Sequence, residues 1–277
     1  MTLKRLIVLF LFALIPVALL SYAHLIEREW IDKTEHIVEC KDWHGDELRL
    51  AVLTDLHARP GGGEYLDRVV KETLALHPHA VLLLGDYMND HHPYESMQPE
   101  VLEKHLRPLT ALPCFAVLGN HDYYHGEANV RGMFSRLGIP CVEGQRVELA
   151  AAGGVVDIGG IRCRFTFDTP GKVPEPRPGV PLLLLSHTPV GAQHVHPQTL
   201  LTVSGHSHGG QVCWPTGAPV WMADGKTPAD WAQGAVQVHG RNCYVCRGIG
   251  TSSLPIRFCC RPELLLLRIK PQSGSVQ

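Results

Sequence analysis

The sequence predicts an α/β chain of the layered α+β type: two packed mixed β-sheets flanked by helices. Three observations point there. Residues 80–84 and 182–185 are short continuous apolar runs, the pattern of strands buried on both faces. The first half alternates strand and helix patterns, whereas the stretch from Gln145 onward is rich in short strands. Strands buried on both faces need cover on each side, and a second sheet with helices outside supplies it.

Residues 35–41 and 48–54 read as strands, with Trp43, His44, Gly45 and Asp46 making the turn between them. Residues 64–76 place Leu66, Val69, Val70, Leu74 and Leu76 at helical spacing. A strand at 80–84 follows, then a helix at 95–112, a buried strand at 114–118 and a helix at 130–137 that Gly138 ends. Residues 147–151, 155–158 and 161–167 read as a meander of short strands separated by glycine pairs. Residues 182–185, 200–204, 235–238, 243–246 and 264–269 supply the remaining strands, and the tail from Pro271 is expected to fray.

Residues 6–23 are apolar except for Pro16, Ser21 and Tyr22, and Lys4 and Arg5 precede them. That length sits at the lower end of the roughly 17–25 residues that span a hydrocarbon core. A retained signal anchor is the favoured expectation, because the run is longer than a usual signal h-region. A signal peptide cleaved near Ser21-Tyr22-Ala23 is the alternative. The expected organisation is an anchor and linker over residues 1–30 and a catalytic domain over 31–277, placed at the cell (inner) membrane. The membrane face stays open: Lys4 and Arg5 argue for a cytoplasmic N-terminal end, while Arg28, Lys33 and the many thiols argue against it.

Lys plus Arg is 25 and Asp plus Glu 27, a net charge of −2, which excludes a basic nucleic-acid footprint and an acidic solvating tail. Among nine cysteines, Cys243 and Cys246 have redox or zinc-type spacing. A zinc ribbon needs a second such pair, and Cys259 and Cys260 are adjacent, so strand thiols are the first reading and a thiol oxidoreductase the rival. Histidine is the unusual entry in the composition, with 17 copies.

Five segments share one design, an apolar strand followed at once by metal-ligand residues. They are Asp55-Leu56-His57, Gly85-Asp86, Gly119-Asn120-His121-Asp122, Ser186-His187 and Gly205-His206-Ser207-His208-Gly209-Gly210. Strand ends combine a rigid scaffold with free loops, which is where α/β folds place function. Convergence would bring three carboxylates, an amide and five imidazoles together. Hard oxygens mixed with imidazole nitrogens suit Mn, Fe or Zn, and two ions roughly 3.5–4 Å apart clamp a phosphoryl group for in-line displacement.

This ordered set resembles the calcineurin-like metallophosphoesterase superfamily, over about residues 48–269. The details Asp122-Tyr123-Tyr124, Gly209-Gly210-Gln211 and Arg247-Gly248-Ile249-Gly250-Thr251-Ser252 resemble a branch of membrane-anchored or exported bacterial phosphoesterases. Some members of that branch are linked to hydrolysis of UDP-2,3-diacylglucosamine in lipid A synthesis. The resemblance implies a metallophosphoesterase-type β-sandwich in which Asp55, His57 and His208 hold one divalent ion, Asn120, His187 and His206 the other, and Asp86 bridges them. It also implies that His121 stabilises the phosphate or protonates the leaving oxygen, with Asp122 orienting its ring. The family pattern is departed from in the loop Ala58-Arg59-Pro60-Gly61-Gly62-Gly63, which bears on the substrate mouth.

The expected activity is therefore dinuclear-metal-dependent hydrolysis of a phosphomonoester, phosphodiester or pyrophosphate, on a lipid-linked or envelope substrate if the anchor holds. UDP-2,3-diacylglucosamine pyrophosphatase is the narrower alternative, and a non-catalytic, membrane-tethered metal-binding module is the rival from another class. The other histidines read as solvated or satisfied polar residues, with His91, His92 and His125 nearest the motifs in sequence. Trp214, Trp221, Met222 and Trp231 read as core before they read as an apolar groove, and Arg59 and Arg247 as surface pairs or phosphate contacts.

Overall fold

The computed structural model describes residues 3–89, 95–162, 171–222 and 224–272, with side chains from Leu14 onward. Helix α1 (Leu3–Leu25) leads into β1 (Asp32–Cys40), β2 (Leu48–Leu53), α2 (Gly63–Leu74), β3 (Ala80–Leu83), α3 (Pro99–Leu106), β4 (Cys114–Ala116) and α4 (Asn120–Leu137). The second half runs through β5 (Arg146–Ala151), β6 (Gly154–Ile161), β7 (Leu182–Ser186), β8 (Leu201–Ser204), β9 (Gly234–Val238), β10 (Arg241–Val245) and β11 (Glu263–Pro271). Among the described residues these strands form two mixed sheets, ordered β1-β11-β2-β3-β4 and β5-β6-β7-β8-β10-β9.

The period of two in each strand divides the core. Leu48, Leu50 and Val52 of β2 point toward the second sheet and meet Leu183, Leu185 and Val203 there. Ala51 and Leu53 point the other way, onto Leu66, Val69 and Val70 of α2 and Val130, Met133 and Phe134 of α4. The apolar stripe of α2 expected at 64–76 is thus the face that covers the first sheet. β3 and β7 are buried throughout, as their continuous apolar runs predicted.

Several expectations are corrected. The turn at residues 43–46 does not join neighbours: β11 lies between β1 and β2, parallel to the first and antiparallel to the second. The Gly159-Gly160 pair does not separate neighbouring strands but lies inside β6. A Cβ on Gly160 would stand 2.7 Å from Val117 Cγ1 and 2.8 Å from the Val142 backbone, so this glycine lets the sheets approach. The expected strand 161–167 falls outside the described residues from 163 on, as do His91, His92 and the tail beyond 272. Trp214 and Trp221, read as core, are exposed.

The membrane expectation is also corrected, and with it the anchored branch and the membrane location. Among the described residues no helix is long and apolar enough to cross a membrane. The side chains of residues 3–13 fall outside the described set. The end of α1 instead packs on the body: Ala23 is buried and its carbonyl accepts from Arg257 N at 3.1 Å. The Tyr22 ring meets Phe258 edge-on, and His24 Nδ1 donates to the Pro255 carbonyl at 2.8 Å. Polar Tyr22 and His24 within this stretch serve a protein contact.

Gly160→Ala is expected to lower stability by about 1–3 kcal/mol through overpacking between the sheets. Urea unfolding checks it, as a lower midpoint at an unchanged slope.

Candidate metal centre

β2, β3 and β4 run parallel, and so do β7 and β8. Their carboxyl ends meet at one edge of the layered sheets, and each of the five motifs begins within three residues of such an end. Cross-sheet bonds lock the edge. His187 Nδ1 donates to the Leu84 carbonyl at 2.9 Å, and the Asp55 carboxylate accepts from His206 N at 3.0 Å.

The backbone there adopts rarely populated conformations. Asp55, His57, Asp86, His206 and His208 have φ of 52°, 41°, 53°, 71° and 52°. Left-handed backbone costs free energy for residues with a Cβ and persists only where the surroundings impose it. Flanking glycines make room: a Cβ on Gly119 would fall 2.2 Å from Asp86 Oδ1, and one on Gly205 2.3 Å from Asp55 Oδ2.

The expected side chains are brought together in three overlapping groups: Asp55, His57 and His208; His57, Asp86 and His121; and Asp86, His187 and His206. Asp86 links them, with Oδ2 3.7 Å from His57 Nε2 and 3.1 Å from His187 Nε2. His57 Nε2 lies 3.1 Å from His208 Nε2, and His208 Nε2 lies 3.5 Å from Asp55 Oδ1. Asn120 Oδ1 and His206 Nδ1 each stand 3.2 Å from His187 Nε2.

Two backbone carbonyls set the ring tautomers. His57 Nδ1 donates to Asn89 O at 3.1 Å and His187 Nδ1 to Leu84 O, so both Nε2 atoms face the cluster. Burial, with His121 beside it, pulls His57 down to about 3, and burial together with His57 and Arg257 holds His208 well below the usual imidazole value. Burial opposes charge on His187 and Asp86 as well, but their mutual attraction outweighs it. His187 is pushed up to about 9, and His187, His121 and His57 hold Asp86 well below the carboxylate range. Burial, joined by repulsion from Asp86, raises Asp55. Unprotonated nitrogens crowded against carboxylate oxygens repel one another, and a divalent cation relieves that crowding; the donor set fits Mn, Fe or Zn.

Asp122, expected to orient the His121 ring, commits its carboxylate to four backbone N–H groups. Oδ2 accepts from Asp86 and Gly119, both at 2.9 Å, and Oδ1 from Tyr87 at 2.9 Å and Met88 at 3.2 Å. It thereby holds the Asp86 loop against the start of α4. That helix begins at Asn120, ten residues before the expected start, and kinks at Gly126. His121 faces His57 edge-on, with centroids 4.8 Å apart, on the wall of a cavity of about 760 Å³ whose lining includes Asp86, Asn120, His206 and His208. Arg59 and Asp224 also reach that cavity, whereas Arg247 pairs with Asp32 and Glu263.

Sequence reasoning missed Asn89, Asp224 and Arg257. Arg257 is fully buried and donates to the carbonyls of Gly250, Cys260 and Arg247, tying the loops around His208 together. No local motif marks it. Cys243 and Cys246 lie in separate clusters on opposite faces of the second sheet. Burial pushes Cys243 up to about 12 and Cys246 well above its ordinary value, which leaves no reactive dithiol there.

The raised His187 value implies that the His187–Asp86 pair stabilises the metal-free fold most below pH 6.5. That stability is lost as pH rises through about 9. Urea midpoints of the metal-free protein should fall across this window, and His187→Gln should flatten the trend.

A family model for calcineurin-like phosphoesterases matches residues 48–227. The metallophosphoesterase YkuE of Bacillus subtilis is 26% identical over 261 residues, covering 90% of this chain and 89% of that protein. A metallophosphoesterase of Helicobacter pylori (strain 26695) is 27% identical, covering 82% of this chain but 61% of its own. The UDP-2,3-diacylglucosamine pyrophosphatase LpxG of Chlamydia trachomatis is 27% identical, covering 81% and 84%. With three overlapping groups of metal-ligating side chains at the matched strand ends, the chain belongs to the calcineurin-like phosphoesterases and is a metal-dependent phosphoesterase.

Proposed function

We propose that residues 31–277 form the catalytic unit and that it cleaves phosphoester or pyrophosphate bonds with two divalent ions. Asp55, His57 and His208 hold one ion, Asn120, His187 and His206 the other, and Asp86 both. The observation that carries this reading is the position of Asp86 Oδ2 between His57 Nε2 and His187 Nε2, at 3.7 and 3.1 Å. When bound, such a pair neutralises phosphate oxygens and lowers the pKa of water toward about 7.

The chain's own groups supply the rest. His121 faces the cavity, where its ring hydrogen-bonds a phosphate oxygen or gives a proton to the departing oxygen. Its backbone N–H holds Asp86 Oδ1 at 2.9 Å, so the leaving-group side and the shared carboxylate are set by one residue. Asp122 acts through the backbone of that loop. The Asn89 and Leu84 carbonyls keep His57 and His187 aimed inward.

Pyrophosphate cleavage in a nucleotide-linked substrate is the narrower reading. Its support is the name of the Chlamydia trachomatis relative, together with a cavity within the roughly 300–1,000 Å³ usual for small-molecule sites.

The purified chain, loaded with Mn²⁺, should hydrolyse bis-p-nitrophenyl phosphate and lose activity on chelation. His121→Ala should lower kcat by roughly 10²–10⁴-fold while the metal content stays unchanged. Metal retained with no turnover of any ester, nucleotide or pyrophosphate offered would overturn the proposal. Within the same screen, UDP-2,3-diacylglucosamine should give the highest kcat/KM if the narrower reading holds.

A further inference from the structure

Asp224 reaches the metal centre from the loop that precedes β9, and its Oδ2 lies 3.3 Å from His206 Nε2. The other ring nitrogen, Nδ1, lies 3.2 Å from His187 Nε2 and faces the cluster. An ionised carboxylate carries no hydrogen, so this contact places the hydrogen on Nε2. A neutral imidazole protonated there has its lone pair on Nδ1, directed at the second ion position.

We propose that Asp224 is a positioning residue: it fixes the tautomer and ring orientation of His206, and so sets how tightly the ion of the Asn120, His187 and His206 site is held. The inference rests on the reading of His206 as a ligand. Carboxylate–histidine–metal arrangements raise the basicity of the ligating nitrogen, and losing the outer partner costs roughly 10–100-fold in metal affinity.

Asp224 is itself held in place. Thr227 Oγ1 donates to its Oδ2 at 2.5 Å, and the backbone N–H groups of Lys226 and Thr227 both donate to Oδ1 at 3.1 Å. Its side chain is only 15% exposed, so its charge acts on the ring with little solvent screening. The contrast with the neighbouring ligands is chemical. His57 and His187 are oriented by neutral backbone carbonyls, whereas His206 is oriented by a charged side chain on a separate loop. The same carboxylate lines the cavity, so the loop that shapes one wall of the mouth also orients a ligand.

The test uses the full chain reconstituted with Mn²⁺ alone. Ions retained per chain are counted by elemental analysis against a graded chelator for wild type, Asp224→Asn, Asp224→Ala and His206→Ala. Asp224→Ala should release one ion at roughly 10–100-fold lower chelator than wild type. Asp224→Asn can still accept the Nε2 hydrogen but lacks the charge, and should fall between them. Metal-free melting points of both Asp224 variants should match wild type. Should Asp224→Ala hold both ions as tightly as wild type while His206→Ala loses one, the role of Asp224 is overturned and the ligand reading stands. Should His206→Ala also keep both ions, the ligand reading fails and takes this inference with it. Metal-free forms of both Asp224 variants that melt well below wild type would mark a purely structural role and overturn it equally.

Discussion

The rest of the structure depends on holding one buried carboxylate between imidazoles. Asp86 is buried, lies between His57 and His187, and is linked through His57 to Asp55. Without a cation, crowding the unprotonated His57 ring against the Asp55 and Asp86 carboxylates is unfavourable, so a scaffold has to impose it. Asp122 does much of this by gathering the N–H groups of Asp86, Tyr87, Met88 and Gly119, and the absence of a side chain at Gly119 lets Asp86 sit against the start of α4. Local stability is given up at such a site in exchange for chemistry.

The two sheets divide the labour. The first presents Asp55, His57, Asp86, Asn120 and His121, and the second presents His187, His206 and His208. Neither sheet alone surrounds an ion pair, and the shared apolar layer keeps the two halves in register. Precision at the edge thus derives from close packing a few residues deeper, where Gly160 lets the layers approach. Arg257 closes the arrangement from the far side with donors only, meeting carbonyls that would otherwise be buried unpaired.

Much of this was legible in the chain because the strongest signals are local. Continuous apolar runs marked β3 and β7, helical spacing marked α2, and the five strand-end motifs named the residues that meet at the centre. What was not legible depends on distant partners. The polar opening Asn120-His121-Asp122 hid the first turns of α4, whose cap is formed by Asp122 itself. Glycine pairs signalled breaks, whereas inter-sheet contact required Gly160 inside a strand. Asp224 and Arg257 carry no motif, and their roles arise from loops brought together by the fold. An apolar N-terminal run suggested a bilayer, yet Ala23 is buried against the protein.

The position of β11 bears on the order of events during synthesis. It occupies the slot between β1 and β2, more than 200 residues after either, so the sheet that presents Asp55 stays split until Glu263–Pro271 has left the ribosome. Until then β2 offers a bare flank to its surroundings, a state open to mispairing and to chaperone capture. The sheet behind Asp55 is thereby completed only when Glu263–Pro271 is added between strands made far earlier.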